Sequence, residues 1–412
     1  MGQQHHRLGG MADPHQRPVH GIVLQHDGHS PLYRQRALAA EISHWLHLHN
    51  IPADWIDAQP CAQGWRFRLT AQAWSQLTPD WNTLDLHTRL PGEATLAAEI
   101  LLALLASPVD RTFPNLEELN AHLESRLHTC RAAEKTTLAF ATQSADRPAS
   151  HWRYSEATGF ILQPGVALIE ALTLATQPAV SDTVYDFSCY RATEYVLLLG
   201  LAHTLQNFNP DLLSRLEFQW RREAIASGRF HDTFLDEIGS LDEPLPGLHY
   251  VPGDRVWFRN PDEHSADVVG FEGSWVVYMG RGRFTDFWRP QSSYSLREKC
   301  LEIHFWRDAV VEQPGEENTI DETRVWEKMR ALQDGLDAGA GWAHEQEAAI
   351  LRRMMRYRDA RGVYADGGCI DATREHLRWM CPGFERIDLP SAQPLSADNE
   401  PGLMTGASGL PI

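Results

Sequence analysis

The sequence has few cysteines and no long apolar run. Its 412 residues include six cysteines, whose irregular spacing fits neither a disulfide framework nor a zinc ribbon. They are Cys61, Cys130, Cys189, Cys300, Cys369 and Cys381. The longest apolar run covers residues 100–106, far fewer than the roughly 20 residues that a membrane-spanning helix needs. These absences predict a protein of a reducing compartment that has no membrane span.

The sequence is also poor in positive charge. Lysine and arginine number 37 against 55 aspartates and glutamates, which gives a net charge of -18. An acidic surface repels nucleic acids and anionic membranes, so neither is an expected partner. Residues 1–20 contain no apolar stretch of the kind that secretory signals carry. We therefore expect a cytoplasmic protein, or one that is exported without a classical signal peptide.

Changes in composition divide the chain into five predicted segments. Residues 1–20 are rich in glycine, proline, glutamine and histidine, which favours a flexible arm. Residues 21–112 are expected to form a mostly helical domain, and residues 113–310 a domain of alternating strands and helices. Residues 311–389 contain two polar amphipathic helices and form a helical extension, and the Pro/Gly/Ser-rich residues 390–412 form a disordered tail.

Hydrophobic periodicity predicts several individual elements. Helical spacing of apolar residues favours helices over residues 93–106 and 115–134. Alternating or β-rich patterns favour strands, and they occur at residues 64–69, 150–155, 159–164, 301–306 and in a hairpin that turns at Gly280-Arg281-Gly282.

Cys189 is the most informative single residue. A strand-like segment, residues 185–188, ends directly before it, and apolar residues at helical spacing follow it. The unpaired N–H groups at a helix start favour the thiolate form of a cysteine, which is the nucleophilic form. A buried, unreactive cysteine would also fit a strand-to-helix turn, because cysteine is often a small apolar core residue.

From about Leu119 to Trp306 the sequence resembles the bacterial spore-coat transglutaminases, a family of protein-glutamine gamma-glutamyltransferases. Segment YDFSCYRATEY resembles the segment of the family's nucleophile, PGDRVWFRNPD its Gly-Asp and Asn-Pro segment, and GFEGSWVVYMG its following strand. The resemblance implies an α+β fold with a papain-like core, in which helices flank a small antiparallel sheet. A helical N-terminal domain and a C-terminal helical extension would be additions to this core. It also implies that Cys189 is the nucleophile.

The chain departs from the family pattern at other site positions. Ser188 stands where the family has a glutamate before its cysteine. Ser274 takes the place of the family's catalytic glutamate, and Glu272 lies two positions earlier, where strand alternation would point it to the same face. Asp286 or Phe287 takes the place of the family's histidine. The expected catalytic residues are therefore Cys189, Glu272 and Asp286. His249 and His304 are open alternatives for the base, although each is also a common structural histidine.

The resemblance implies acyl transfer on protein glutamine side chains through a thioester on Cys189. A lysine amine or water would resolve the thioester, and the N–H of Tyr190 would contribute to an oxyanion hole. The expected partners are proteins with glutamine and lysine side chains, and no cofactor is expected. Two alternatives remain open. The chain could be a catalytically inactive binding module, since its catalytic residues are altered, or a secreted effector that modifies other proteins.

Histidine-rich segments are the remaining candidates for chemistry. His44 and His47 share one face of a predicted helix with His49 close by, and further histidines lie at positions 5, 6, 15, 20, 26 and 29. Neither these nor the group of Cys369, His376 and Cys381 has the ligand spacing of a zinc site. The sequence therefore predicts solvated histidines and no metal.

Overall fold

The computed structural model describes residues 19–25, 32–92, 94–141, 144–288, 293–313, 315, 317–358 and 367–389. The predicted disordered tail lies outside these residues, and of the predicted flexible arm only Val19 and His20 lie within them. Among the described residues, no helix is both long enough and apolar enough to cross a membrane.

The first part of the chain contains a sheet as well as helices. In chain order its elements are β1 (Ile22–Gln25), α1 (Leu32–Leu48), β2 (Ile56–Cys61), β3 (Gly64–Leu69), α2 (Ala71–Leu77), α3 (Leu86–Arg89), α4 (Leu96–Leu105) and β4 (Arg111–Phe113). The four strands form one sheet in the order β2-β3-β1-β4, with β1 antiparallel to β3 and parallel to β4. The sequence predicted β3 and α4 but missed the other three strands. β1 and β4 have only four and three residues and carry too little periodicity to be recognised, and β2 contains Pro60, which argues against a strand.

Two long helices, Leu116–Lys135 and Cys189–Phe208, pack against each other at the centre of the molecule. The next elements are α5 (Leu116–Lys135), β5 (Ala139–Phe140), β6 (Trp152–Ser155), β7 (Gly159–Leu162), α6 (Leu168–Thr176), α7 (Pro178–Ser181), β8 (Asp186–Phe187) and α8 (Cys189–Phe208). The predicted helix at 115–134 and the predicted strand pair at 150–164 are confirmed as α5 and as the β6-β7 hairpin. α5 begins at Asn115, whose side chain accepts a hydrogen bond from the N–H of Glu118 at 2.8 Å.

The second sheet has five strands and is antiparallel. The elements from here are α9 (Pro210–Trp220), α10 (Gly228–Phe234), β9 (Leu235–Ile238), β10 (Arg255–Arg259), α11 (Glu263–Ala266), β11 (Gly273–Gly280), β12 (Arg283–Thr285), α12 (Leu296–Trp306), β13 (Val310–Val311), β14 (Thr319–Ile320), α13 (Glu322–Asp337), α14 (Gly341–Met354) and β15 (Arg374–Leu377). The strand order is β12-β11-β10-β15-β9. The predicted hairpin at Gly280-Arg281-Gly282 is confirmed, since β11 and β12 pair on either side of it.

The C-terminal part of the chain completes this second sheet. Helices α13 and α14 are the two that the sequence predicted there. The structure adds β15, which lies between β10 and β9 and pairs with both. Residues 311–389 are therefore not an appendage of helices alone, because they supply a central strand of the sheet.

The prediction of a strand at residues 301–306 is wrong, because these residues belong to helix α12. The helix begins at a capping box, in which Ser295 and Glu298 accept hydrogen bonds from each other's backbone N–H. Its buried residues include Leu296, Lys299, Cys300 and Ile303, which follow the three- and four-residue spacing of a helix. Five of these six residues have aromatic or branched side chains and fit a strand as well as a buried helix, so periodicity alone did not separate the two.

Three apolar clusters form the core. One packs the first sheet against α1 and α4, a second surrounds α8, and a third lies between the second sheet and helices α12 to α14. The mixture of helices and small sheets confirms the predicted α+β class.

Candidate active site

Cys189 is the first residue of α8 and follows strand β8 by two positions. The side chain of Ser188 caps the helix by accepting a hydrogen bond from the N–H of Arg191 at 3.5 Å. Cys189 is partly exposed, whereas Cys130, Cys300, Cys369 and Cys381 are buried. The thiol therefore stands at the helix start that the sequence predicted, within reach of solvent.

A cleft of about 570 Å³, measured out to its open mouth, contains Cys189. Its walls come from α8, the start of β11, the segment after β12, α12 and α13. The lining residues are Phe140, Cys189, Gly270, Phe271, Gly273, Ser274, Asp286, Trp288, Lys299, Glu302, Trp306, Glu322, Val325 and Trp326. Cys189 is the only one of the six cysteines, all of them in the described chain, that lines this cleft. The predicted residue Asp286 shares the cleft with it.

A buried ammonium group stands beside Asp286. Nζ of Lys299 lies 2.7 Å from Oδ2 of Asp286 and 3.3 Å from Oε2 of Glu302, and its side chain is only 2% exposed. Burial disfavours the charged form of Lys299, but the two carboxylates outweigh burial and raise its pKa. Lys299 is therefore a fixed positive charge in the wall of the cleft.

Opposing effects act on the pKa of the Cys189 thiol. Burial raises the pKa above its ordinary value, and the charge of Glu272 raises it further. Hydrogen bonds from the backbone at Trp275 and Tyr190 and the charge of Lys299 act in the opposite direction. Because burial prevails, the resting side chain is a thiol at neutral pH, and thiolate chemistry requires a group that removes its proton.

Glu272 and Ser274 lie in different surroundings. β11 begins at Gly273, so Glu272 precedes the strand, and its side chain is exposed and absent from the cleft lining. An oxygen of Glu272 accepts a hydrogen bond from the N–H of Gly270 at 3.3 Å. Ser274 is buried and lines the cleft. The strand alternation on which the expectation rested applies only from Gly273 onward.

Neither alternative histidine lines the cleft. His249 is completely buried, and burial lowers its pKa well below the ordinary value. His304 lies on α12, where burial lowers its pKa to about 4. No other histidine of the described chain is among the lining residues.

Arg255 packs against Tyr190 and Trp275, whose backbone groups form hydrogen bonds with the Cys189 sulfur. Its guanidinium carbon lies 4.3 Å from the ring centre of Tyr190 and 4.1 Å from that of Trp275. Nη1 of Arg255 lies 3.3 Å from Oε2 of Glu375 on the neighbouring strand β15. Tyr190 and Trp275 are thus both stacked on one buried guanidinium group.

Within the described chain, one group of side chains has the geometry of metal ligands, and it lies outside the cleft lining. It consists of His231, Glu237 and Glu375, whose ligand atoms lie within 4.8 Å of one another. Nε2 of His231 lies 3.6 Å from Oε2 of Glu237 and 3.4 Å from Oε1 of Glu375. His44, His47 and His49, which sequence analysis weighed as ligands, belong to no such group.

Sequence reasoning missed Lys299, Glu302 and the wall formed by α13. The sequence signal for Lys299 was the capping pattern of Ser295 and Glu298, which places Lys299 and Glu302 on successive turns of one helix. The wall residues Glu322 and Trp326 carry no local signal, because only the packing of α13 brings them to the cleft.

A protein family and a solved structure are similar to this chain. No curated protein matches the chain. A solved transglutaminase from Geobacillus stearothermophilus, without its C-terminal extension, is similar over 52% of this chain and 97% of that chain, with 16% identity and a TM-score of 0.35. The sequence pattern of the family described as protein-glutamine gamma-glutamyltransferase matches residues 83–388, which extends the predicted resemblance at 119–306 on both sides. The chain therefore belongs to the protein-glutamine gamma-glutamyltransferase family.

Proposed function

We propose that the protein transfers the acyl group of a protein glutamine side chain through a thioester on Cys189. The sulfur attacks the carboxamide carbon, the carbon–nitrogen bond breaks and ammonia leaves with the thiol proton. A lysine amine then forms a cross-link and releases the thiol, or water yields glutamate. The proposed layout is papain-like, with the nucleophile at the start of α8 facing the sheet strand β11.

The observation that carries this proposal is the position of the Cys189 sulfur. It lies at a helix start in an open cleft, and hydrogen bonds from the backbone at Trp275 and Tyr190 are directed to it. Donors that stabilise negative charge on sulfur also suit the oxyanion of the tetrahedral intermediate that forms next to it. Family membership supplies the reaction type.

The charges around the thiol support different roles for the two expected carboxylates. Glu272 acts electrostatically on the thiol, so we assign to it the removal of the thiol proton. Asp286 is paired with Lys299, and this pair fixes the ammonium whose charge favours the thiolate. Asp286 is then a positioning residue, and Lys299 supplies the positive charge.

A catalytically inactive binding module is the second candidate. It is favoured by a cleft whose lining includes no histidine and by a thiol whose pKa is raised. In that case the same cleft would hold a protein side chain without modifying it.

An amine-incorporation assay tests the proposal. Purified protein is incubated with a glutamine-rich donor protein and a fluorescent primary amine, and both label and released ammonia are measured. We expect labelling or ammonia release, and a loss of about 1,000-fold or more in Cys189→Ala. Ammonia release without labelling would identify water as the acceptor.

Cys61→Ala is the matched control, because Cys61 is the other partly exposed cysteine and lies on β2, outside the cleft lining. It should retain full activity. Absence of both signals with every glutamine donor would favour the binding module, and equal activity in Cys189→Ala would refute the assigned nucleophile.

A further inference from the structure

Three buried arginines converge from distant parts of the chain. Arg111 lies on β4, Arg126 on α5 and Arg374 on β15, and they are 4%, 2% and 0% exposed. None of them lines the cleft of Cys189. They are therefore not explained by the proposed acyl-transfer chemistry.

Many hydrogen-bond donors of this group have no partner. They are Nη1 and Nη2 of Arg111, Nη2 of Arg126, Nε and Nη2 of Arg374, and the single ring N–H of the completely buried His249, neither of whose ring nitrogens has a partner. Buried donors are nearly always satisfied in folded proteins, because an unmade hydrogen bond in the interior is costly. Such a concentration of unpaired donors points to an acceptor that binds among them.

The contacts that these arginines do make hold their guanidinium groups in place. Nε of Arg111 donates to Oγ of Ser107 at 3.3 Å, and Nε of Arg126 donates to Nε2 of His122 at 2.7 Å. Nη1 of Arg374 donates to the carbonyl oxygen of Asp371 at 2.8 Å. The remaining donor edges are thus fixed by the fold before any ligand binds.

Ring contacts join the three elements that carry these arginines. The His122 ring, which accepts from Nε of Arg126, lies 5.0 Å from the Phe113 ring on β4 and 5.2 Å from the His376 ring on β15. In agreement with this geometry, burial lowers the pKa of His249, and the charges of Arg111, Arg374 and Arg126 each lower it further.

The charge of this group is not balanced by the described chain. Nη1 of Arg126 lies 2.9 Å from Oδ1 of Asp254, and no other described carboxylate forms an ion pair with any of the three arginines. Burial lowers the pKa of Arg111 to about 9, so Arg111 still carries its charge at neutral pH. Three positive charges and one negative charge leave two positive charges in the interior, which a protein rarely tolerates without a counterion.

We propose that Arg111, Arg126, Arg374 and His249 form a buried binding site for a small inorganic dianion of the phosphate class. A dianion balances the two remaining charges, and its oxygens accept the unpaired guanidinium and imidazole N–H groups. Planar guanidinium groups suit tetrahedral oxyanions, because two parallel donors can reach two oxygens. The bound anion joins β4, α5 and β15, so its role is structural.

Equilibrium dialysis of the full-length protein against radiolabelled inorganic phosphate at about 1 mM tests the site directly. We expect about one phosphate per chain, displaced by sulfate and not by an equal concentration of chloride. Arg111→Met should lose this binding. The matched control Arg66→Met removes an arginine that pairs with Asp110 on the adjacent surface, and it should bind as the wild type does.

Thermal unfolding provides the second measurement. Phosphate at about 100 times its Kd should raise the melting temperature of the wild type and of Arg66→Met by about 5 °C relative to phosphate-free buffer. This value is the shift that remains after the shift of Arg111→Met, which measures the general effect of the salt, has been subtracted. If Arg111→Met does not fold, the wild-type dialysis decides alone. Absence of bound phosphate and sulfate in the wild type, displacement by equal chloride, or equal melting shifts in wild type and Arg111→Met would overturn the proposal.

Discussion

The chemistry of Cys189 depends on opposing electrostatic influences on one sulfur atom. Burial and Glu272 raise the thiol pKa, while the Lys299 ammonium and the backbone at Trp275 and Tyr190 lower it. The ammonium can act in this way only because Asp286 and Glu302 keep it charged in a buried position. A lysine held by two carboxylates thus supplies positive charge in a cleft whose lining includes no histidine of the described chain.

Replacing Lys299 by methionine should slow the reaction of the thiol. The thiol pKa should rise, because the positive charge is lost and the thiol then lies near an unpaired Asp286. At a pH below the pKa, each unit of rise lowers the thiolate fraction about tenfold. We expect iodoacetamide to alkylate Cys189 about ten times more slowly in Lys299→Met at pH 8. Mass spectrometry of the labelled peptide measures the rate.

The rate at which iodoacetamide alkylates Cys189 should rise with pH, because only the thiolate reacts. Since the wild-type thiol pKa is raised above its ordinary value of 9.0, the alkylation rate should still be rising at pH 9, and Lys299→Met should shift the curve to higher pH. Lys328→Met is the matched control, because Lys328 pairs with Asp308 on the surface. A plateau below pH 8 in the wild type, or identical curves for the two variants, would contradict the electrostatic account.

At the scale of elements, the position of the thiol depends on how closely α8 packs against α5. Gly200 lies in the middle of α8, and a side chain at this position would lie 2.9 Å from the backbone nitrogen of Thr129 and 3.0 Å from its Cα. These atoms belong to the backbone of α5 and cannot rotate away. Glycine is therefore required by the close approach of the two helices rather than by its backbone angles.

Gly200→Ala should destabilise the protein by about 2 kcal/mol, because overpacking between helices outweighs the better helix propensity of alanine. Urea unfolding followed by circular dichroism measures the change. Gly228→Ala on α10 is the control, since a side chain there meets no atom within 4 Å. Equal stability of both variants would show that α8 can move away from α5 at little cost.

At the scale of the whole molecule, both ends of the chain contribute to one structure. β15 lies between β10 and β9, and α13 supplies part of the wall of the Cys189 cleft. The family pattern likewise extends to residue 388. The C-terminal segment is therefore part of the structural unit that contains the Cys189 cleft, and its boundary at residue 311 stays a prediction.

A chain that ends at Arg358 should fail to fold cooperatively. It retains every helix of the described residues but lacks β15, which leaves β10 and β9 without their shared partner and exposes their unpaired backbone groups. A chain that ends at Leu389 keeps all of the described elements and should unfold in a single sharp transition. Thermal unfolding by circular dichroism compares the two, and a sharp transition in the shorter chain would contradict the expected role of β15.

Local sequence patterns were sufficient to predict elements that are long or that end at a recognisable turn or helix start. The spacing around Leu116–Lys135, the turn at Gly280-Arg281-Gly282 and the strand-to-helix junction at Cys189 all follow from residues within a few positions of one another. Local patterns failed where a short segment fits two structures, as at residues 301–306, or where the strand is no longer than two periods, as in β1 and β4.

The sequence by itself determined the α+β class, the family and the helix start that carries Cys189, because periodicity and collinear motifs express these locally. Only the tertiary structure decided that Lys299 pairs with Asp286, that β15 enters the second sheet and that Arg111, Arg126 and Arg374 meet in the interior. The residues in these arrangements are separated by up to hundreds of positions along the chain. The interactions that stabilise them, burial and charge pairing, exist only after the chain has folded. No local pattern records which distant partner a buried charge will find.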